Sequence, residues 1–278
     1  MSSHPLSSTP STASPIGLEK KRRLNPIWQA RLKRFRHNRL GVTSLFIFAL
    51  IFVLCMAANV IANDKPLLVQ YQGDYYFPVL KAYPETTFGG VFETETNYKD
   101  PAVQALIDGQ GFYIMPPIPF ADQTPNVELG IPYPAAPNSQ NWLGTDDLGR
   151  DVLARILYGL RVSLLFGLAL TLAGALIGII VGAIQGYYGG WVDLAGQRFM
   201  EVWGGMPQLF MIIILVSLFS PSIFMLFAMM LLFGWMGLVG LVRAEFLRAR
   251  NFDYVRAARN LGVSDSQIML RHILPNAL

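Results

Sequence analysis

The segment from Val162 to Val192 reads VSLLFGLALTLAGALIGIIVGAIQGYYGGWV and holds no charged residue. About 20 apolar residues cross the hydrocarbon core of a bilayer as one helix, so a run of this kind places the chain in a membrane. Its glycines carry a second message. Gly174, Gly178, Gly182 and Gly186 recur every four residues, with Gly167, Thr171 and Ala175 on an adjacent stripe. Small residues at this spacing let helix backbones approach closely in lipid, where van der Waals contact drives association. The pattern predicts a helix near 162–187, packed inside a bundle on its glycine face.

Two further charge gaps flank this one. Residues 40–63 hold no charge, and 40–62 predicts a first span. The gap from Val202 to Val242 is 41 residues, too long for one helix. Ser220-Pro221-Ser222 divides it, because proline removes a backbone donor and serine serves turns. Spans near 203–219 and 223–242 follow, which makes four. Composition agrees: 14% of the 278 residues are charged, against about 25% in soluble domains. Mean hydropathy of +0.38 leaves too much apolar surface for a disordered chain, and a single cysteine, Cys55, rules out a disulfide scaffold.

The placement of charge predicts orientation. Residues 1–39 carry nine Lys/Arg against Glu19, residues 64–151 carry four basic and twelve acidic residues, and 243–278 carry six arginines and three acids. Basic, acidic, basic is the alternation expected of a cytoplasmic N-terminus, an extracytoplasmic loop and a cytoplasmic C-terminal segment. The link from Asp193 to Glu201 would then lie inside. The positive excess reports topology and does not call for nucleic acid. A cleaved signal peptide is the competing reading of 20–62, but its apolar core would run about 7–15 residues, whereas the run here has 23. The reading is an uncleaved anchor.

Residues 1–25 read as a disordered cytoplasmic tail. Over 26–39, Trp28, Leu32 and Phe35 recur at i, i+4, i+7 between basic residues, which fits an interfacial amphipathic helix or a plain positive flank equally well. Residues 63–145 are rich in Tyr, Phe, Pro and Gly and predict a small lobe with some strand content. Residues 146–278 form the rest of the helical core. The fold class is therefore an all-α polytopic membrane bundle with a small β-containing extracytoplasmic lobe.

No charged residue falls within the predicted spans, which argues against a proton-coupled carrier. The sequence lacks a phosphate-binding G-x-x-x-x-G-K-[ST] loop. His4, His37 and His272 lie far apart, so no metal site or catalytic triad is expected. The energy for any work must come from a partner.

Two motifs say more. Gly144-Thr145-Asp146-Asp147-Leu148-Gly149-Arg150-Asp151 offers caps for a starting helix in Thr145 and Asp146, and an i, i+4 pair in Asp151 and Arg155. After the fourth span, Tyr254, Ala257, Ala258 and Leu261 share one helical face, with Asp253 as its cap, Arg256 and Arg259 beside it and Gly262 as its stop. Ser264-Asp265-Ser266-Gln267 reads as a capping box opening a second short helix that ends before Pro275. The result is a compact knob over 252–275, either shallow enough to enter a groove on another protein or simply stapled to the bundle.

At these residues the sequence resembles a known family. Tyr254-Val255-Arg256-Ala257-Ala258-Arg259-Asn260-Leu261-Gly262, with Arg271-His272-Ile273-Leu274-Pro275-Asn276, resembles the EAA loop of bacterial ABC importer permeases. Gly144 to Asp151, Gly186 to Asp193 and Met206-Pro207 resemble segments of the dipeptide/oligopeptide branch, and the long Tyr-rich loop looks most like its microcin-C-type subgroup. The resemblance implies a permease subunit in the bacterial inner membrane, forming half of a peptide translocation path, in a heterodimer with a second permease. It implies that Asp253, Tyr254, Arg256, Ala257, Ala258, Arg259, Leu261, Gly262 and Pro275 couple to a cytoplasmic ATPase. It implies that Gly144, Thr145, Asp146, Gly149, Arg150 and Asp151 form the permease signature, and that the lobe receives a peptide-loaded periplasmic binding protein. ATP and Mg would be bound by the ATPase, with no cofactor in this chain. Two departures stand out: Arg256 replaces the signature's leading glutamate, and the chain stops at Leu278 where permeases of this branch continue with two spans, so the expectation is a truncated chain. The alternative is a membrane-anchored scaffold whose lobe binds a partner without transport.

Overall fold

A computed structural model describes residues 26–277, so the tail expected over 1–25 lies outside the described residues. The chain divides into two units, residues 1–53 and 54–278. In the first, α1 (Pro26–His37) precedes α2, which begins at Arg39. The helix expected over 26–39 ends two residues early because Asn38 leaves the helix and its Oδ1 accepts from the Gly41 N–H at 3.1 Å, as a capping side chain does. Leu32 and Phe35 are both exposed.

The helix α2 (Arg39–Met56) stops six residues short of the Ala62 boundary expected for the first span. A single turn, α3 (Ala58–Ile61), follows, and Ala62 leaves the helix to bridge Ile118 in parallel. Ala58 and Ala62 are fully buried, and the Ala62 carbonyl accepts from the Tyr158 hydroxyl at 3.0 Å. Packing against distant residues ends the helix where hydropathy would continue it.

The lobe is a three-stranded antiparallel sheet in the order β2-β1-β3, formed by β1 (Leu68–Tyr71), β2 (Asp74–Tyr76) and β3 (Gly111–Ile114), with α4 (Pro101–Asp108) packed against it. Gln72 and Gly73 both take positive φ, the conformation a two-residue hairpin requires. Asp100 caps α4 through the Ala102 N–H at 2.8 Å, with Pro101 next in the first turn. The tyrosines noted in the sequence make the lobe's core: Phe88 meets Tyr71, Tyr76, Tyr83 and Tyr98 edge to face.

The helical part begins with α5 (Val152–Tyr188), 37 residues and about 55 Å long. It starts ten residues before the expected 162 and carries Arg155 and Arg161 in its first turns. Next come α6 (Gly190–Gly204) and α7 (Gln208–Leu218), which meet at 70°. The span expected near 203–219 is therefore not one continuous helix but the end of α6, a bend and α7. The 11 residues of α7 rise only about 17 Å, against a hydrocarbon core near 30 Å. Pro207 cannot donate to the preceding turn and bars Met206 from helical geometry, so the chain bends there. The Asp193–Glu201 link is likewise a helix, being most of α6. Ser222 caps α8 (Ile223–Gly234), its Oγ accepting from the Met225 N–H at 3.1 Å, and α9 (Met236–Ala249) continues beyond Trp235. Among the described residues, three helical stretches are long and apolar enough to span a membrane, 39–56, 152–188 and 223–249, or four if the bent pair counts as one. The chain closes with α10 (Asp253–Asn260), a turn α11 (Asp265–Gln267), a π-helical stretch Ile268–Ile273 and α12 (Leu274–Ala277).

Candidate functional site

The four glycines of α5 line the seam with α8 and α9. A Cβ on Gly178 would sit 2.8 Å from the Trp235 carbonyl oxygen, on Gly182 2.8 Å from that of Val239, and on Gly186 2.5 Å from that of Arg243. Gly174 is looser, its nearest neighbour at 3.8 Å. Gly167 of the adjacent stripe meets nothing within 4 Å. The opposite stripe, Leu168, Leu172, Leu176, Ile180 and Ile184, stays exposed.

At the start of α5 the signature residues form a buried polar knot. Asp151 is the cap, where the sequence pointed to Thr145 and Asp146. It accepts from the Ala154 N–H at 2.7 Å and from Asn141 Nδ2 at 2.8 Å, while Asn141 Oδ1 accepts from Asn126 Nδ2 at 2.8 Å. Asp151, Asn141 and Asn126 are all buried. Thr145 is spent on Ala135: its N–H donates to the Ala135 carbonyl at 3.0 Å and its Oγ1 accepts from the Ala135 N–H at 2.9 Å. The expected Asp151–Arg155 pair is absent, since Arg155 pairs with Asp146. Gly144 and Gly149 take positive φ, and a Cβ there would press on the Ala135 carbonyl and the Tyr133 ring.

Burial opposes the charge of Asp146, yet N–H groups of Arg150 and Leu148 and the Arg150 side chain outweigh it and hold the carboxyl at about 2. This lowered value means the ionised carboxylate stabilises the loop fully above its ordinary pKa of 3.8, and that this support is lost as pH falls toward 2. Protease protection of the 144–151 loop is expected to drop between about pH 4 and pH 2. In Asp146→Asn the loop is expected to be less protected at neutral pH and to lack that acid step; an unchanged step would assign it to another group.

In the C-terminal knob, Val255 and Ala258 face inward, while Tyr254, Ala257 and Leu261 are exposed, Leu261 at 82%. Ala258 therefore leaves the outward face on which the sequence placed it. Asp253 is the first residue of α10 and not its cap; the cap position falls on Phe252, which makes no side-chain bond. Gly262, at φ +76°, ends the helix in a closed turn: its N–H donates to Arg259 O at 3.0 Å and that of Val263 to Ala258 O at 3.1 Å. The expected capping box is not closed, because Ser264 makes no cap bond and lies 3.5 Å from the Ser266 hydroxyl. Pro275 sits within α12 and not beyond the helix end. The preceding turn is π-helical, with the Leu274 N–H reaching back to Met269 O, and this wider turn accommodates a residue without an N–H. Arg256, on α10, is exposed.

The sequence reading missed the joint between this knob and the helical core. Tyr187 donates its hydroxyl to Asp265 Oδ1 at 2.6 Å, and Arg259 lies 5.3 Å from the Tyr187 ring centroid. The Tyr187 hydroxyl beside the guanidinium raises the Arg259 pKa further and keeps its charge fixed. Asp193 on α6 takes both Nε and Nη2 of Arg243 on α9, the latter at 2.6 Å. Arg250 reaches Tyr188 O at 3.3 Å, in space that a Cβ on Gly189 would fill. The signal was present in Gly186-Tyr187-Tyr188-Gly189-Gly190-Trp191-Val192-Asp193, where three glycines accompany two tyrosines and an acid. Behind the joint, Ala183, Val242, Phe246, Ala249, Val255, Ala258, Ile268 and Ile273 share one apolar cluster. Among the described residues no group of His, Cys, Asp and Glu is placed to hold a metal.

Comparison with known proteins places the chain in a family. Residues 162–278 match the family "Binding-protein-dependent transport system inner membrane component", and residues 27–78 match the N-terminal TM domain of oligopeptide transport permease C. The inner membrane ABC transporter permease protein YejE of Escherichia coli (strain K12) is 56% identical over 256 residues, 92% of this chain and 75% of that protein. The peptidoglycan transport system permease protein YejE of Agrobacterium fabrum is 46% identical over 96% of this chain and 78% of that protein. The oligopeptide transport system permease protein OppC of E. coli K12 is 31% identical over 91% of this chain and 65% of that protein. Such permeases carry substrate in partnership with an ATPase and a binding protein and are not themselves catalytic. This chain belongs to the permease family of binding-protein-dependent ABC importers, as a multi-pass component of the inner membrane.

Proposed function

We propose that the chain forms half of the translocation path of an ATP-driven importer of peptides or peptide-like compounds, in a heterodimer with a second permease subunit. Its N-terminus is cytoplasmic, and the lobe over 63–145 faces outward to a peptide-loaded binding protein. The knob over 252–275 docks in a cleft of the ATPase, which binds ATP and Mg. The names of the relatives, for oligopeptide and peptidoglycan transport, support the substrate class. The arginine and lysine bias supports the orientation.

The observation that carries the docking reading is the split of α10 into two faces. Val255 and Ala258 anchor it to the core, while Tyr254, Ala257 and Leu261 are left to solvent on a short, shallow helix. An apolar face rigidly presented on a closed turn suits insertion into a groove. Leu261→Asp in the complete transporter is expected to weaken ATPase association by about 2 kcal/mol, roughly thirtyfold, and to cut peptide uptake accordingly. Its level in the membrane is expected to be unchanged, because the side chain is exposed. Wild-type uptake and wild-type ATPase co-purification in this variant would sink the docking assignment.

A further inference from the structure

Tyr187 lies in the last turn of α5, 3% exposed, and one side chain there grips both halves of the knob. Its hydroxyl holds Asp265, the first residue of α11, at 2.6 Å, and its ring carries Arg259 from the last turn of α10. The two contacts fall on either side of the Gly262 turn. At the same level α5 is pinned to α9 by the close approach of Gly186 to Arg243 and Phe246. Beside the joint is a cleft of about 550 Å³ lined by Tyr187, Tyr188, Arg250, Asn251, Arg259 and Asp265, which gives the polar contacts room to rearrange. The far end of α5 is capped by Asp151 in the signature loop, so one unbroken helix runs from the lobe side to the knob.

We propose that Tyr187 is a positioning residue for transport, its hydroxyl bond to Asp265 being the latch through which movement of the knob reaches α5. The proposal rests on the reading of the knob as the ATPase dock. Ring burial and the stacking of Arg259 on the ring survive in phenylalanine, whereas what the hydroxyl supplies, its bond to Asp265 and its polar interaction with Arg259, does not.

The test uses the complete transporter, with both permeases, ATPase and binding protein, reconstituted in vesicles and supplied with a labelled peptide. In Tyr187→Phe the ATPase is expected to co-purify as in wild type with an unchanged unfolding temperature, while ATP hydrolysed per peptide imported rises about tenfold. Asp265→Asn keeps an acceptor oxygen and is expected to stay near the wild-type ratio; Asp265→Ala is expected to match Tyr187→Phe. An unchanged ratio in Tyr187→Phe would overturn the latch. So would uptake, ATPase co-purification and unfolding temperature all falling together, which would mark a purely structural role, or an Asp265→Asn variant as uncoupled as Tyr187→Phe. Leu261→Asp is run alongside: if it retains the ATPase, the docking reading fails and the latch falls with it. If it loses the ATPase while Tyr187→Phe transports at the wild-type ratio, only the latch fails.

Discussion

Gly186→Val is expected to leave little folded permease in the membrane. The new Cβ would stand 2.5 Å from the Arg243 carbonyl and 2.6 Å from Phe246 Cβ, and neither a backbone oxygen nor a fully buried ring can step aside. Overpacking of this kind costs about 1–3 kcal/mol and sometimes more. Here the strain falls on the cluster that holds α5, α9 and the knob together. Valine also adds two further carbons that the closest point of the seam has no room for. Gly167→Val supplies the control, since a Cβ there meets nothing within 4 Å. Thermal unfolding of the two variants in detergent is the measurement. Equal midpoints would mean that α5 and α9 are not packed through this seam.

The second large effect is expected from Asp151→Ala. The substitution removes the cap of a 37-residue helix, which typically costs about 1 kcal/mol. It also strands the buried Asn141 amide, which now donates to the carboxylate at 2.8 Å, and an unsatisfied buried donor costs about 1–3 kcal/mol. The loss propagates to Asn126 through Asn141. Asp151→Asn keeps an acceptor for Ala154 and is expected to recover part of the stability. Hydrogen exchange at the first turn of α5 separates the outcomes: exchange at the wild-type rate in Asp151→Ala would show that the knot does not hold this end.

Several features were legible from local pattern. The glycine stripe at four-residue spacing announced a close helix contact, and the contact is there at Gly178, Gly182 and Gly186. Gly262 was read as a stop and takes the positive φ that ends α10. Ser222 stands at the turn that divided the longest apolar run. Each of these depends on residues no more than about four positions apart, so the pattern in the chain and the structure it makes are nearly the same information.

The misreadings share a different cause. Hydropathy carried the first span to Ala62, but burial against Tyr158 and Ile118 ends it at Met56. Apolar composition over 203–219 hid the bend at Pro207. Among the caps on offer in the signature, the choice of Asp151 was decided by Asn141 and Ala135, which occupy Asp151 and Thr145 from outside the motif. On α10 the local period puts both Ala257 and Ala258 on the outward face, and only packing into the apolar cluster turns Ala258 inward.

By itself, then, the sequence determined the membrane class, the glycine seam and the turn that ends α10, all of which follow from composition and short-range period. Which alanine faces the core, which aspartate caps α5 and which tyrosine grips the knob were decided only by the tertiary structure. Tyr187 and Asp265 lie 78 positions apart, and Asp193 and Arg243 lie 50 apart. No local periodicity links such pairs; they meet only because apolar burial and the close approach of α5 and α9 bring their backbones together.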